Sequence, residues 1–215
     1  MKKILLVSPH FDDAVLSAGQ FMADRPDAEV VTVFGGFPLT ASRVKTPYDI
    51  KCGFENAEDA VAQRQRENDS ALALLEATAI NLDFPDGQYG NETNTEQITE
   101  KLQEILGDDD YEFIMCPIGL GHPDHVKVTD AVLALNTDLP IYLWEDLPLR
   151  VVEPELVWSR IIELKLPTAR LIKHATTNDK MAMKIRSMLC YESQIHTGIL
   201  DPYIMYVPER LWQYR

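Results

Sequence analysis

The stretch KKILLVSPHFDDAVLSAG, from Lys2 to Gly19, decides the fold prediction. Its first part, Lys2–Val7, is a short run of Leu, Ile and Val, which is typical of a central parallel strand. Asp13–Ala23 has the apolar spacing of a helix, and AEVVTVF (Ala28–Phe34) has the composition of a second strand. This order of strand, helix and strand predicts a right-handed βαβ unit.

Helices and strands continue to alternate along the chain. Further helices are predicted over Ala57–Ala77, Thr95–Leu106, Asp124–Leu135 and Asn178–Tyr191, and further strands over Ile80–Phe84, Tyr111–Pro117 and Pro140–Glu145. Gly35–Asn56 is predicted to be a long loop, and Ile161–Leu166 (IIELKL) an added strand. No repeat or flexible linker interrupts this pattern. It predicts an α/β fold, with residues 1–215 forming a single Rossmann-like domain whose mostly parallel β-sheet is flanked by helices.

Composition excludes several classes of partner. The formal net charge is -14, and such a field repels the phosphates of nucleic acid and of anionic membranes. No apolar run approaches the ~20 residues that span a bilayer. The three cysteines, Cys52, Cys116 and Cys190, are scattered and odd in number, which indicates a reducing, cytoplasmic location.

Two clusters of His and Asp follow two of the predicted strands. PHFDD contains His10, Asp12 and Asp13, and GLGHPDH contains His122, Asp124 and His125. Ligand sites in doubly wound folds lie beyond the carboxyl ends of strands, so the clusters meet if those strands are neighbours. Two imidazoles and one carboxylate with an open position are typical of catalytic zinc. Fe²⁺ or another divalent ion would fit the same donors.

The two clusters resemble the signature motifs of the PIG-L/LmbE-like zinc-dependent de-N-acetylases. The similarity extends over roughly residues 2–195, through RQRE (64–67), LDFPDG (82–87), LWEDLP (143–148) and CYESQ (190–194). The resemblance implies an LmbE-like fold and an N-deacetylase. This enzyme would remove an acetyl group from an N-acetylated amino sugar or its conjugate by attack of zinc-activated water. Some members of the family are homo-oligomers, and the sequence leaves that question open here.

The resemblance also implies roles for individual residues. His10, Asp13 and His125 would bind the metal. Asp12 would be the general base, and His122 would stabilise the oxyanion or assist the leaving amine. Asp124 would hydrogen-bond a catalytic imidazole and orient it.

Two further residues, Arg64 and Asp86, would hold polar groups of the substrate. The chain departs from the family pattern at Phe11 and Ala14, where Pro and Glu are common, and these positions are expected to reshape the pocket. The roles of Glu145 and Asp146 are left open. His174 and His196 stand alone and are expected to be structural.

Two alternative functions remain. The same metal site could serve a hydrolase of another amide or of an ester. A non-catalytic, nucleotide-binding Rossmann-like module is less consistent with the sequence. Its first turn should be rich in glycine, whereas this turn carries two carboxylates that repel phosphate.

Overall fold

Seven strands of the described chain pair into one sheet. The structure is a computed structural model and describes residues 2–90, 92–108, 110–167, 171–173, 177–198 and 202–215. The strands are β1 Lys3–Ser8, β2 Ala28–Thr32, β3 Thr78–Asn81, β4 Tyr111–Pro117, β5 Ile141–Trp144, β6 Leu171–Lys173 and β7 Arg210–Gln213. Their order across the sheet is β3-β2-β1-β4-β5-β7-β6. The first five strands along the chain pair in parallel, which confirms the mostly parallel α/β fold.

Strand β1 lies at the centre of the parallel part because it is apolar on both faces. It pairs with β2 on one side and with β4 on the other. Leu6 lies opposite Met115 of β4, so both strands end at the same edge of the sheet. The turns after β1 and β4 therefore leave the sheet side by side.

Helices cover both faces of the sheet. The α-helices are α1 Asp13–Met22, α2 Pro47–Lys51, α3 Ala57–Leu74, α4 Thr95–Asp108, α5 Pro123–Leu133, α6 Leu149–Val152, α7 Glu155–Glu163, α8 Asn178–Met188, α9 Glu192–Ile195 and α10 Pro202–Met205. Ile4 and Leu6 point into one apolar core, whereas Leu5 and Val7 point into the other. This alternation is the reason that the run Lys2–Val7 contains no polar residue after Lys3. None of the described helices is both long and apolar enough to span a bilayer.

The C-terminal third differs from the prediction. The segment Ile161–Leu166 was predicted as a strand, but it begins inside helix α7. Of the apolar residues in this segment, Ile161 and Leu166 are buried whereas Ile162 is exposed, which fits the end of a helix and the turn after it rather than a paired strand. The edge of the sheet is instead completed by β7 and β6, which pair antiparallel. His174 lies outside the described residues.

Two other predicted segments differ from the structure in their limits or content. The strand predicted over Ile80–Phe84 is β3, and it ends at Asn81. The predicted loop Gly35–Asn56 contains a 3₁₀ turn, Ala41–Arg43, and the short helix α2. Helix α2 begins after a capping box between Thr46 and Asp49, a local signal that hydrophobic periodicity does not detect.

A buried ion pair ties helix α1 to the C-terminal segment. The backbone of α1 breaks at Ala18, where φ is -136°. The Glu209 carboxylate accepts hydrogen bonds from Gln20 N at 2.7 Å and Phe21 N at 3.0 Å. It also lies 2.9 Å from Lys184 Nζ, and both charged side chains are fully buried. A Cβ at Gly19 would lie 3.0 Å from Lys184 Cγ, so glycine leaves room for the lysine stem.

We predict that Lys184→Met lowers the free energy of unfolding by about 3 kcal/mol, because it leaves a buried carboxylate without its counter-charge. Chemical denaturation measures the change. Lys101→Met is the matched control, since Lys101 pairs with Glu104 on the surface, and its stability should stay near that of the wild type. Equal stability of the two variants would contradict the assigned role of the buried pair.

Candidate active site

A pocket opens at the sheet edge where β1 and β4 end. Its volume is about 450 Å³, within the range of small-molecule sites. Seven of the eight predicted site residues line it: His10, Asp12, Asp13, Arg64, Asp86, His122 and His125. The eighth, Asp124, is buried directly behind the pocket wall and contacts His10. The structure therefore brings the two distant clusters into one site.

The turn after β1 is held by its own polar groups. Ser8 Oγ donates to the carbonyl of His10 at 2.6 Å and accepts from Ala14 N at 3.1 Å. Asp13 Oδ2 accepts from His10 N at 2.8 Å. These bonds close the turn and start helix α1 at Asp13, which fixes the Asp13 side chain beside the imidazole of His10.

Three side chains converge on one point. Asp13 Oδ2 lies 3.1 Å from His10 Nδ1 and 3.3 Å from His125 Nε2, and all three residues are buried. Donors that bind one zinc ion tetrahedrally at about 2.0–2.1 Å are separated by about 3.3–3.4 Å. The observed separations are close to that value, so the three residues fit a divalent metal ion.

The charge of the surroundings supports the same conclusion. Burial disfavours a charged imidazole, but the carboxylates of Asp13 and Asp146 raise the pKa of His125 to about 10. Likewise, burial lowers the pKa of His10, but Asp86, Asp124 and Asp13 together raise it well above its usual value. The carboxylates thus create a strongly negative potential at the imidazoles, which a bound cation would neutralise.

Each proposed metal-binding imidazole has a second carboxylate on its other nitrogen. Asp146 Oδ1 lies 2.5 Å from His125 Nδ1, and Asp146 Oδ2 accepts from Gly119 N at 3.1 Å. Asp124 Oδ2 lies 3.3 Å from His10 Nε2. Such carboxylates fix the orientation of a metal-binding imidazole and increase its basicity. Sequence reasoning left the role of Asp146 open, although two signals were present: its position two residues after strand β5 and its place in LWEDLP (143–148), which resembles a family block.

Asp124 was predicted to orient a catalytic imidazole. The imidazole that its carboxylate contacts is that of His10, a proposed metal ligand. Its contact with His122 runs through the backbone, since Asp124 N donates to His122 Nδ1 at 3.2 Å. Asp124 Oδ2 also accepts from Gly87 N, and a Cβ at residue 87 would lie 2.7 Å from that oxygen. Gly87 is therefore required for this close approach.

The Asp12 carboxylate faces the pocket at the start of α1. Burial and the neighbouring Asp13 raise its pKa, which Arg64 partly opposes from 3.8 Å. A carboxyl group with a raised pKa is suited to exchange protons with a substrate. Asp12 and Asp13 point differently: the Asp13 carboxylate lies between the two imidazoles, whereas the Asp12 carboxylate lies on the side of Arg64.

His122 lies at the mouth of the pocket and caps helix α5. Because its Nδ1 accepts a hydrogen bond from Asp124 N, the proton of the neutral ring is on Nε2. Burial and the imidazoles of His10 and His125 lower the pKa of His122, which favours this neutral form. His122 therefore presents an N–H donor to the site.

Arg64 and Asp86 form the polar wall. Arg64 Nη1 lies 3.6 Å from Asp86 Oδ2, too far for a strong hydrogen bond. Arg64 Nε is buried and, within the described residues, has no hydrogen-bond partner. The guanidinium lines the pocket, with its Nη atoms 3.8 Å from Asp12 and 3.6 Å from Asp86, so these Nη groups are suited to hold a polar group of a ligand.

Sequence reasoning missed the remaining walls of the pocket. They are formed by Leu16, Tyr48, Gln88, Leu147, Pro148 and Leu149. Tyr48 comes from the long loop, and Leu147–Leu149 from the segment after β5. By contrast, Phe11 and Ala14, which were expected to reshape the pocket, are buried in the apolar core and do not line it. Their effect on the pocket stays a prediction, and it would act through the packing behind the wall.

One protein-family model matches this chain. The family model described as PIG-L: GlcNAc-PI de-N-acetylase matches residues 5–136. Among curated proteins, the comparison gives no match.

Solved structures share the whole fold. A triple mutant of a deacetylase from the teicoplanin biosynthetic pathway has 25% sequence identity and a TM-score of 0.82, covering 98% of this chain and 97% of that one. The N,N'-diacetylchitobiose deacetylase of Pyrococcus horikoshii has 18% identity and a TM-score of 0.61, with coverage of 94% and 74%. The 4-carboxy-2-hydroxymuconate hydratase of Pseudomonas putida has 18% identity and a TM-score of 0.62, with coverage of 99% and 96%. The same fold therefore occurs with different reactions.

We predict that Asp146→Asn weakens zinc binding by about 10–100-fold, because His125 loses the carboxylate that fixes its ring. Competition with a chromophoric chelator measures the dissociation constant of zinc without any substrate. The control is Asp69→Asn, which removes an exposed carboxylate from helix α3 and should leave zinc affinity unchanged. Unchanged affinity in Asp146→Asn would show that Asp146 does not support the metal centre.

Proposed function

Because this chain belongs to the PIG-L family, whose model is described as GlcNAc-PI de-N-acetylase, we propose that it is a zinc-dependent N-deacetylase. It removes the acetyl group from an N-acetylated amino sugar or amino-sugar conjugate. The observation that carries the proposal is the convergence of His10, Asp13 and His125 beside the pocket carboxylate of Asp12.

His10, Asp13 and His125 would hold the metal ion through nitrogen and oxygen donors. Zinc is favoured over Mg²⁺ or Ca²⁺ because two of the three donors are imidazoles. When bound, zinc lowers the pKa of its water to about 7 and polarises an acyl oxygen. Within the described residues the three cysteines lie outside this donor set, consistent with a catalytic rather than a structural zinc site.

Asp12 moves the proton in the reaction. Its carboxylate takes a proton from the attacking water as the new C–O bond forms at the acetyl carbon. The same group then gives this proton to the nitrogen as the C–N bond breaks, so that acetate and the free amine leave. Because its pKa is raised towards neutral pH, the Asp12 carboxyl group can both accept a proton and donate it.

His122 stabilises the negative charge that develops on the acyl oxygen. Its Nε2–H points towards the site because Nδ1 is held by the backbone of helix α5. A donor in such a position contributes about 3 kcal/mol to transition-state stabilisation. Arg64 and Asp86 bind hydroxyl groups of the sugar, since a guanidinium donor and a carboxylate acceptor line the same wall of the pocket.

The proposed function is tested by incubating zinc-loaded protein with a panel of acetylated compounds and measuring release of primary amine. N-acetylglucosamine, diacetylchitobiose and N-acetylglucosaminides with larger groups at the anomeric carbon represent amino sugars. Simple amides and acetate esters represent the alternative hydrolase. Amine release from the sugars alone supports the proposal, whereas hydrolysis confined to esters or simple amides would replace it.

We predict that Asp12→Asn retains about one zinc per chain but lowers kcat by about 10²–10⁴-fold, because it removes the proton acceptor. Asp13→Asn should instead lose the metal, since it replaces a charged donor shared by two imidazoles. Metal analysis of the purified variants distinguishes them. Loss of zinc in Asp12→Asn with retention in Asp13→Asn would reverse the two assignments.

We predict that His122→Gln lowers kcat by about 10²–10³-fold with little change in zinc content, because the oxyanion loses a fixed donor. Steady-state kinetics and metal analysis on the same preparation give both values. His196→Gln is the control, since His196 is exposed and distant in sequence from both clusters. A fall in kcat that matches a fall in bound zinc would assign His122 to the metal centre instead.

A further inference from the structure

One wall of the pocket comes from the long loop between β2 and α3. Tyr48, on the short helix α2 of that loop, lines the pocket and is partly buried. The guanidinium carbon of Arg64 lies 5.9 Å from the centre of the Tyr48 ring. An aromatic surface and a buried donor therefore meet at a corner of the pocket.

The loop that carries Tyr48 is held in place at two points on one side. Thr46 Oγ1 donates to Gln88 Oε1 at 2.7 Å, and Gln88 in turn donates to Asp86 at 3.1 Å. The Tyr89 hydroxyl donates to Asp49 Oδ1 at 3.1 Å. These contacts join the loop to the turn that contains Asp86, so the aromatic wall and the polar wall form one unit.

The hydroxyl of Tyr48 is held by helix α9, outside the pocket lining. It donates to Gln194 Oε1, and Gln194 Nε2 donates to Ser193 Oγ at 2.9 Å. Glu67 accepts from both Ser193 N and Ser193 Oγ, at 3.0 and 2.7 Å. Burial also raises the pKa of Tyr48, so its hydroxyl keeps the proton that this bond needs. The hydroxyl is thus occupied by the protein, and the ring is what the pocket receives.

We propose that the Tyr48 ring is the platform on which the sugar ring of the substrate lies. This inference rests on the proposed function. A pyranose presents C–H groups on its faces and hydroxyls around its rim. An aromatic ring suits the face, while Arg64 and Asp86 at the adjoining wall suit the rim. Tyr48 therefore selects amino sugars over acyclic N-acetyl amines.

The test compares a cyclic and an acyclic substrate with the same acetamide. Methyl N-acetylglucosaminide supplies the sugar ring, and N-acetylserinol supplies the acetamide flanked by hydroxymethyl groups without a ring. We expect Tyr48→Leu to lower kcat/KM for the sugar by about tenfold, mainly through KM, which corresponds to about 1.4 kcal/mol. Its kcat/KM for N-acetylserinol and its zinc content should stay within about twofold of the wild type.

Two variants control the result. Tyr48→Phe keeps the ring and loses only the bond to Gln194, so it should retain most of the preference for the sugar. Tyr206→Leu removes an exposed tyrosine that does not line this pocket and should change neither substrate. Equal losses for both substrates in Tyr48→Leu, or a loss in Tyr48→Phe as large as that in Tyr48→Leu, would overturn the platform role.

A binding measurement separates this inference from the proposed function. Methyl glucosaminide, the amine product, is titrated calorimetrically into zinc-loaded protein, which requires no turnover. Binding by the wild type that weakens about tenfold in Tyr48→Leu supports the platform even if no acetyl sugar is hydrolysed, in which case only the proposed function fails. Absence of sugar binding by the wild type, or equal binding by both proteins, overturns the platform.

Discussion

The carboxylate of Asp13 is the contact on which the site depends. It lies within 3.3 Å of imidazoles from two turns that are more than a hundred residues apart in the chain. This meeting requires that β1 and β4 be neighbours and end at the same sheet edge. The apolar faces of β1 secure that arrangement, since they fill both cores at once. Packing of the sheet thus fixes the geometry in which a cation can be held.

Much of the fold and of the candidate site could be predicted because the sequence patterns that determine them are local. The run before His10 contains apolar residues that suit a strand buried on both faces, and the run before His122 has the same character. Ligands in such folds gather at the carboxyl ends of strands, so the order of the elements was enough to bring the two clusters together. The resemblance of both motifs to one family then distinguished the neighbouring carboxylates Asp12 and Asp13, which spacing alone could not do.

The features that could not be predicted depend on contacts between segments that are distant in the chain. Hydrophobic periodicity carries no information about such contacts. Asp146 stands shortly after a strand, as many turn residues do, and only the folded chain shows its carboxylate against His125. Tyr48 belongs to a loop without regular period, and its place is set by Gln194 near the other end of the chain. The segment Ile161–Leu166 was predicted as a strand because it is rich in Ile and Leu, but it contains the end of helix α7 and the turn that follows.

The residues proposed for the reaction and those proposed for substrate choice therefore lie in different parts of the molecule. The residues proposed to act on the amide lie on the turns and helix starts that follow the paired strands β1 and β4. Those proposed to hold the sugar lie on the loop of Tyr48, on helix α3 and on the turn of Asp86, which polar contacts join to one another. Substitutions in these loops can alter the walls without moving the strand ends. One fold can then serve different substrates and different reactions, so function has to be argued from the residues of the site.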